Sequence, residues 1–534
     1  MLPFLLSMWM LIAAQNTSTL QGVVLRAGSS EPIGEVEISL VSSNVDIRFR
    51  TVTNAQGSFT FDNLAPGKYN VQGRREGYFT EQGNPLPNLI TTVTIERSRS
   101  HEIVVKLIPG AVISGRVTDT EGRALAGVQM SAMKLQYDEG RPVFSVGTLP
   151  IATNETGQYR IPPVPPGEYY LRAEVANSQQ QFAQRTYYPG TTDSLAAIAL
   201  TIRGGESMEG TNLTIPTLPT IRLSGEVRTE GIPSTGAVRT FYLLPQDGRP
   251  QEPYPFELRN LLPPPTGRET STQSFILEAR GIPPGSYELA PFFVDSKATY
   301  YTGRTHVEIG TENVENIAAI VNPNVDVTGK ILVAGDGALP TISSLQFHLR
   351  AKDATVPLMS RSATAKVSPD GSFVIPSVTA GRYYAYFGAF SPAIITSWYV
   401  SGMRQGSVDI RNEGIIDIRG VVPPLEITIS SGAGSIRGTV EADGGQLPPH
   451  ADVVLVPQFS RRSNPLFYDR TAISPDGSFK FEGIAPGEYK VFAFEQLQST
   501  AEQNPSFIAR YEVLGQSVTV KSGSSTDVRA RLLH

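Results

Sequence analysis

A chain of 534 residues has room for several domains, and its 49 glycines and 41 prolines are distributed as turns instead of being gathered into one disordered block. With 45 basic against 50 acidic side chains the formal net charge is −5, and no arginine-rich run interleaved with aromatics occurs, so nucleic acid is excluded as an expected partner. The lack of cysteine excludes disulfides and an acylated cysteine anchor.

In chain order, the N-terminal MLPFLLSMWMLIAAQ is an apolar run too short to cross a membrane, ending in small residues around Ala13 and Ala14. Residues 1–18 are read as a secretory signal peptide, which predicts a mature chain without a transmembrane span. Two phrases follow. LQGVV, around Gly22, sets aliphatic residues at a period of two about a glycine, and GSFTFDNLAPGKYNV runs from Gly57.

The pair then returns four times. ISGRV (Gly115) precedes GQYRIPPVPPGEYYL from Gly157, and LSGEV (Gly225) precedes FILEARGIPPGSYEL from Phe275. VTGKI (Gly329) precedes GSFVIPSVTAGRYYA from Gly371, and IRGTV (Gly438) precedes GSFKFEGIAPGEYKV from Gly477. Gly67, Gly167, Gly285, Gly381 and Gly487 each stand eight places after an inward candidate, namely Phe59, Tyr159, Leu277, Phe373 and Phe479. A period of roughly 100 residues suits one small domain per copy.

Within a copy the alternation specifies strands. Phe479 and Phe481 share one face while Lys480 and Glu482 point to solvent, Ile484 fills the corner, and Tyr489 and Val491 resume the inward positions. Pro486 and Gly487 predict a type II turn with Gly487 at a positive φ, and the phrase as a whole predicts a core hairpin. About seven short strands per copy and no convincing helix argue for an antiparallel sandwich.

These phrases resemble the carboxypeptidase regulatory-like domain, a transthyretin-like sandwich related to Cna B-type surface modules. The resemblance covers nearly all the mature chain and implies an all-β tandem array of about five antiparallel transthyretin-like (prealbumin-like) β-sandwiches. The units are drawn at 19–108, 109–218, 219–324, 325–431 and 432–534. The third departs from the pattern at Leu277 and the fourth at Ala380, where the others have an aromatic residue and a turn proline. Members of this family occur as accessory domains of peptidases, extensions of outer-membrane receptors and surface-protein arrays. Cna B-type relatives can carry an intramolecular Lys–Asn bond, but only Lys330 sits on an opening strand here, so this cross-link is not expected. Joints such as VKLIPGAVISG are short, so each unit is expected to touch mainly its neighbours in a bent rod on the order of 100 to 200 Å long.

Chemistry is sparse. His101, His306, His348, His450 and His534 stand singly without metal-ligand spacing, and no nucleophile elbow is present. Asp370 and Asp476, in SPDGSF, read as turn residues. No catalytic residue, metal site or cofactor is therefore expected. The candidate ligand contacts are three aromatic doublets: Tyr187 and Tyr188, Tyr300 and Tyr301, Trp398 and Tyr399. Adjacent strand residues face opposite ways, so one ring of each pair is expected to be buried and the other to offer a platform for a sugar face. The expected role is a non-catalytic binding or spacer protein, secreted, periplasmic or at the cell surface. Its expected partner is a polysaccharide, a cell-surface polymer or another envelope protein. The alternatives are a structural or adhesion rod and an accessory chain of a peptidase or receptor system.

Overall fold

The computed structural model describes residues 18–42, 48–81, 83, 86, 88–97, 99–175, 184–217, 221–232, 238–246, 250, 254–257, 259–260, 272–295, 299–335, 345–352, 363–389, 396–444, 447–448 and 450–534. The apolar stretch 1–17, on which the signal-peptide reading rests, lies outside the described residues.

The chain is an all-β tandem array of sandwiches, each with its own apolar core. In the first sandwich the opening strand Ser18–Arg26 runs antiparallel to Ser58–Leu64 and parallel to the closing strand Ser100–Pro109. Corresponding trios recur at Ala111–Asp119, Arg222–Glu230, Val325–Ala334 and Gly434–Glu441, each between one antiparallel and one parallel partner. A parallel pair of opening and closing strands thus recurs in every unit among mainly antiparallel neighbours, and in the fifth the end of the closing strand also pairs parallel with Gly487–Phe494, joining the two sheets there. The five cores centre on residues such as Leu20 and Val71, Ile113 and Leu171, Phe241 and Phe275, Phe347 and Ile427, and Ile436 and Phe481.

The repeated phrase is a corner between sheets, not the hairpin the alternation predicts. Ser478–Ile484 pairs with the opening strand, whereas Gly487–Phe494 pairs with Asp452–Pro457 and Gln516–Val520 in the facing sheet. The first four units split in the same way. Alternation is identical in the two cases because the inner faces of both sheets look onto one core, so period two alone does not distinguish a hairpin from a corner.

The type II turn is corrected with it. Gly167, Gly285, Gly381 and Gly487 have φ of 148° to 158°, far from the 80° or so of that turn, and Gly67 is not at positive φ. The bend is made one step earlier by a bulge. In four units the register slips at this point, and Asn63, Ser377 and Gly483 take left-handed backbone there. The slip carries Leu64, Val164, Val378 and Ile484 back onto the core face.

A tyrosine closes each corner. Two residues after the glycine, the hydroxyls of Tyr69, Tyr169, Tyr287, Tyr383 and Tyr489 donate to the carbonyls of Ala65, Pro165, Pro283, Thr379 and Ala485, at 2.8–3.0 Å. This resembles the tyrosine corner of other sandwiches, where the ring fills the core while its hydroxyl ties down the backbone.

The fifth sandwich carries an addition. Residues Ala501–Leu514 form three short helical turns, a departure from the helix-free expectation. Asn504 accepts from the Phe507 amide at 2.8 Å with Pro505 in the first helical position. Ile508, Phe507 and Tyr511 cover the outer sheet face around Val454, Val456, Phe492 and Phe494. Asp452–Pro457 is thereby buried on both faces, which accounts for its unbroken VVLV.

The array does not run on as a rod. In the second sandwich, strands Gln129–Asp138 and Arg141–Val146 form a true hairpin whose two-residue loop, Glu139–Gly140, has φ of 50° and 72°, a type I′ turn. Its tip reaches the fourth and fifth sandwiches. Arg350 of the fourth holds Asp138 at 2.8 Å and Glu139 at 2.6 Å, and the Tyr386 hydroxyl donates to Glu139. From the fifth, Asn504 donates to the Gly140 carbonyl at 2.7 Å, Thr500 donates to the Tyr137 carbonyl at 3.1 Å, and Phe507 meets Tyr137 edge-on. Gly140 fits because a Cβ there would stand 2.6 Å from the Gln503 backbone. The Glu139 side chain is 4% exposed and Arg350 43%, so a buried carboxylate is held by a half-exposed arginine and by the Tyr386 hydroxyl, and removing those partners would leave the carboxylate buried without them.

Two outcomes are expected. Tyr169→Phe strands the Pro165 carbonyl and lowers the stability of the second sandwich by about 1–2 kcal/mol, read as a downward shift of one calorimetric transition. Glu139→Lys sets like charges together at Arg350, so X-ray scattering shows a larger radius of gyration than wild type. An unchanged scattering curve would mean that the clasp does not hold the array closed.

Candidate functional site

The aromatic doublets are the sites the sequence proposes, and the structure places all six rings. Tyr187 is buried, 5.5 Å from the Phe144 ring, and Tyr188 packs half-buried on the core of its own sandwich. Tyr301 is buried with its hydroxyl on Asp295 at 3.1 Å, and Tyr300 stacks on Phe292 at 5.6 Å. Trp398 packs on the fourth core. Tyr399 packs on the fifth. The doublets do face two ways, as strand geometry requires, but the outer ring meets a second apolar cluster or the next sandwich. None of the six rings is exposed.

The five turn glycines sit at the corners described above, and it is the positive φ of four of them that favours glycine, since a Cβ would meet the following tyrosine ring only at ordinary contact distance. A Cβ on Gly381 or Gly487 would approach the rings of Tyr383 and Tyr489 to 3.4 and 3.6 Å. Burial raises the hydroxyls of Tyr169 and Tyr489 to about 12, so both remain protonated donors at neutral pH.

Asp370 and Asp476 act as turn residues. Each accepts from the amide and hydroxyl of the serine two places on, Ser372 or Ser478, and these bonds hold both carboxyls below the usual range. Asn54 and Asn154 do the same work in the first two sandwiches. Lys330 is exposed and stands across from Ser372. The histidines make separate local contacts, such as His306 with Glu308 at 2.8 Å and His534 with Glu495 at 2.7 Å. Among the described residues, no group of three or more His, Asp or Glu side chains is placed to hold a metal.

Sequence reading missed the hairpin tip. YDEGR carries a two-residue turn signal between strands, but nothing local in it shows that Asp138 and Glu139 meet an arginine more than 200 residues away. The Asn-Pro pair ahead of the helical turns was a legible capping signal, weak because the helix it opens is five residues long.

Residues 19–107 and 112–201 each match the carboxypeptidase regulatory-like domain family. The first two sandwiches thus each match this family, and the later three repeat their strand order. The TonB-dependent transporter Oar of Myxococcus xanthus is 27% identical over 110 residues, 21% of this chain and 10% of that protein. The chain thus matches about a tenth of the length of this curated relative. Among solved structures, the minor pilin GBS52 of Streptococcus agalactiae is 19% identical, with 38% of this chain and 97% of that one covered at a TM-score of 0.23. The major pilin BcpA of Bacillus cereus is 11% identical over 57% and 99% of the two chains, at 0.17. Both superpose only distantly.

In the fifth sandwich, Asp469 is held well above the ordinary carboxylate range. Burial beside Leu455 raises its carboxyl to about 6, opposed in part by the Arg470 amide donating at 2.8 Å. A folded value above the unfolded one means that the native state binds more protons between about pH 4 and 6, so this group's contribution falls as pH rises through that window. Asp469→Asn should raise the melting temperature of the fifth sandwich at pH 7 and flatten its pH dependence between 4 and 7. An equally steep profile in the variant would place the titration elsewhere.

Proposed function

We propose that the chain is a non-catalytic, extracytoplasmic scaffold of five domains, divided near residues 108, 218, 324 and 431, with a structural or protein-adhesion role. One observation carries this reading: the residues that recur in every copy are engaged in packing and corner closure. The tyrosine hydroxyls bond their own backbone, and the doublets cover sheet faces and joints. The clasp supports it further, since it ties non-neighbouring sandwiches into one body. The apolar N-terminal run and the family's occurrence in envelope proteins support the extracytoplasmic placement.

A second reading, an accessory chain of an outer-membrane receptor system, draws on the segment shared with a TonB-dependent transporter. Binding of a polysaccharide through the doublets has less support, because their rings are covered.

Peptidase and glycosidase panels run on the purified chain with and without divalent metals test the non-catalytic assignment. Turnover no higher than the blank is the expected result. Metal-dependent turnover abolished by replacing one histidine would overturn it.

A further inference from the structure

A groove of about 680 Å3 lies on the second sandwich, over the opening strand Ala111–Asp119 and the neighbouring strand Gln158–Val164. On these strands Ile113, Val117, Tyr159 and Ile161 are buried, so Ser114, Arg116, Gln158 and Arg160 face outward and line the groove. Gln158 stands directly across from Arg116, and Arg160 across from Ser114. The two arginines are therefore diagonal neighbours on adjacent strands, roughly 7–8 Å apart.

Both guanidiniums are open to a ligand. Arg116 is steadied at its base, where Nε donates to the Thr156 carbonyl at 3.0 Å and the backbone amide donates to Asn212 Oδ1 at 2.9 Å. Among the described residues neither Arg116 nor Arg160 forms an ion pair, and the exposed Glu209 in the lining pairs with neither. By contrast Arg123 of the same sandwich is held by Asp119 at 2.7 Å and Glu121 at 2.9 Å. In the two places of Arg116 and Arg160 the other copies carry Val23 and Thr60, Glu226 and Glu278, Lys330 and Val374, or Thr439 and Lys480. None of these sets two cations side by side, so the pair belongs to the second sandwich and not to the fold. Like charges on neighbouring strands repel, and two anionic groups lying across them offset that repulsion.

We propose that this groove binds an extended acidic peptide of a partner protein, carrying two carboxylates two residues apart. Side chains on one face of an extended strand repeat every 6.6–6.8 Å or so, close to the arginine spacing, and each guanidinium fork suits one carboxylate. Ser114, Gln158 and Asn212 add hydroxyl and amide donors for the peptide carbonyls. The Tyr159 ring in the lining is buried, with its hydroxyl on the Thr211 carbonyl at 2.5 Å, so it offers a sugar no stacking face. The proposal rests on the protein-adhesion reading and gives it a partner chemistry.

Fluorescence anisotropy of a labelled Ser-Glu-Ser-Glu-Ser peptide titrated with the full chain tests this, beside Ser-Gln-Ser-Gln-Ser, the isomer Ser-Glu-Glu-Ser-Ser, and polygalacturonate as a competitor. Saturable binding is expected, at least fivefold tighter than the glutamine peptide, tighter than the isomer and weakened by salt. Arg116→Gln and Arg160→Gln should each weaken it at least threefold with the melting temperature unchanged, whereas Arg123→Gln should leave it as in wild type. Equal binding of the glutamine peptide, or equal losses in Arg160→Gln and Arg123→Gln, would overturn the site. The isomer binding as tightly would refute the two-residue spacing, and polygalacturonate binding more tightly per carboxylate would refute the peptide assignment. Scattering and the activity panels do not involve these arginines, so absent peptide binding removes this site and leaves the scaffold reading standing.

Discussion

The fold depends on a close fit between a glycine and a ring. In four sandwiches a glycine at the middle of the opening strand stands directly across from an aromatic residue: Gly22 from Phe59, Gly115 from Tyr159, Gly329 from Phe373 and Gly438 from Phe479. A Cβ on Gly438 would lie 2.5 Å from the Phe479 ring and 2.3 Å from the Val528 carbonyl of the parallel neighbour. The ring therefore occupies the space a side chain would take, and the opening strand is held between two partners at once. In the third sandwich Leu277 replaces the ring and the glycine is retained, because the Ile317 carbonyl alone would stand 2.1 Å from a Cβ there. Close backbone approach across a sheet is one of the few positions where only glycine fits.

From that pair the rest of each unit follows. The strand bearing the ring ends in a bulge, the bulge turns the chain into the facing sheet, and the tyrosine hydroxyl fixes the bend by bonding four residues back. Each step uses side chains already facing the core, so closing the sandwich needs no disulfide and no metal. The same economy leaves the recurring aromatics little freedom to serve a ligand.

The joints and the clasp work at a larger scale. Tyr399 of the fourth sandwich packs on the fifth core, Leu466 of the fifth packs on the fourth, and Asn464 donates to the Arg411 carbonyl at 2.6 Å. Neighbours are thus interlocked by side chains, not merely joined by short linkers. Against this, the hairpin tip of the second sandwich adds a contact out of sequence order, and a serial array becomes a closed one. Glu139 is well placed to set that geometry, because seating the tip buries its carboxylate against Arg350 and the Tyr386 hydroxyl; burial and Glu139 together raise that hydroxyl above its ordinary range.

By itself the sequence determined the composition of the array: the repeat, the strand alternation and the inward residues from Phe59 and Phe61 to Phe479 and Phe481, all of them buried. These are local properties, set by period two and by the turn chemistry of proline and glycine, and they are readable from a few residues at a time. Only the tertiary structure decided which strands pair, since a corner and a hairpin have the same inward pattern and differ in where the backbone hydrogen bonds go. It also decided that the second ring of each doublet is covered, because Phe292 and the fifth core lie outside the strand that bears the ring. Most of all it decided the closure of the array, for Glu139 and Arg350 are brought together by the arrangement of whole sandwiches, and no periodicity in either segment records the other.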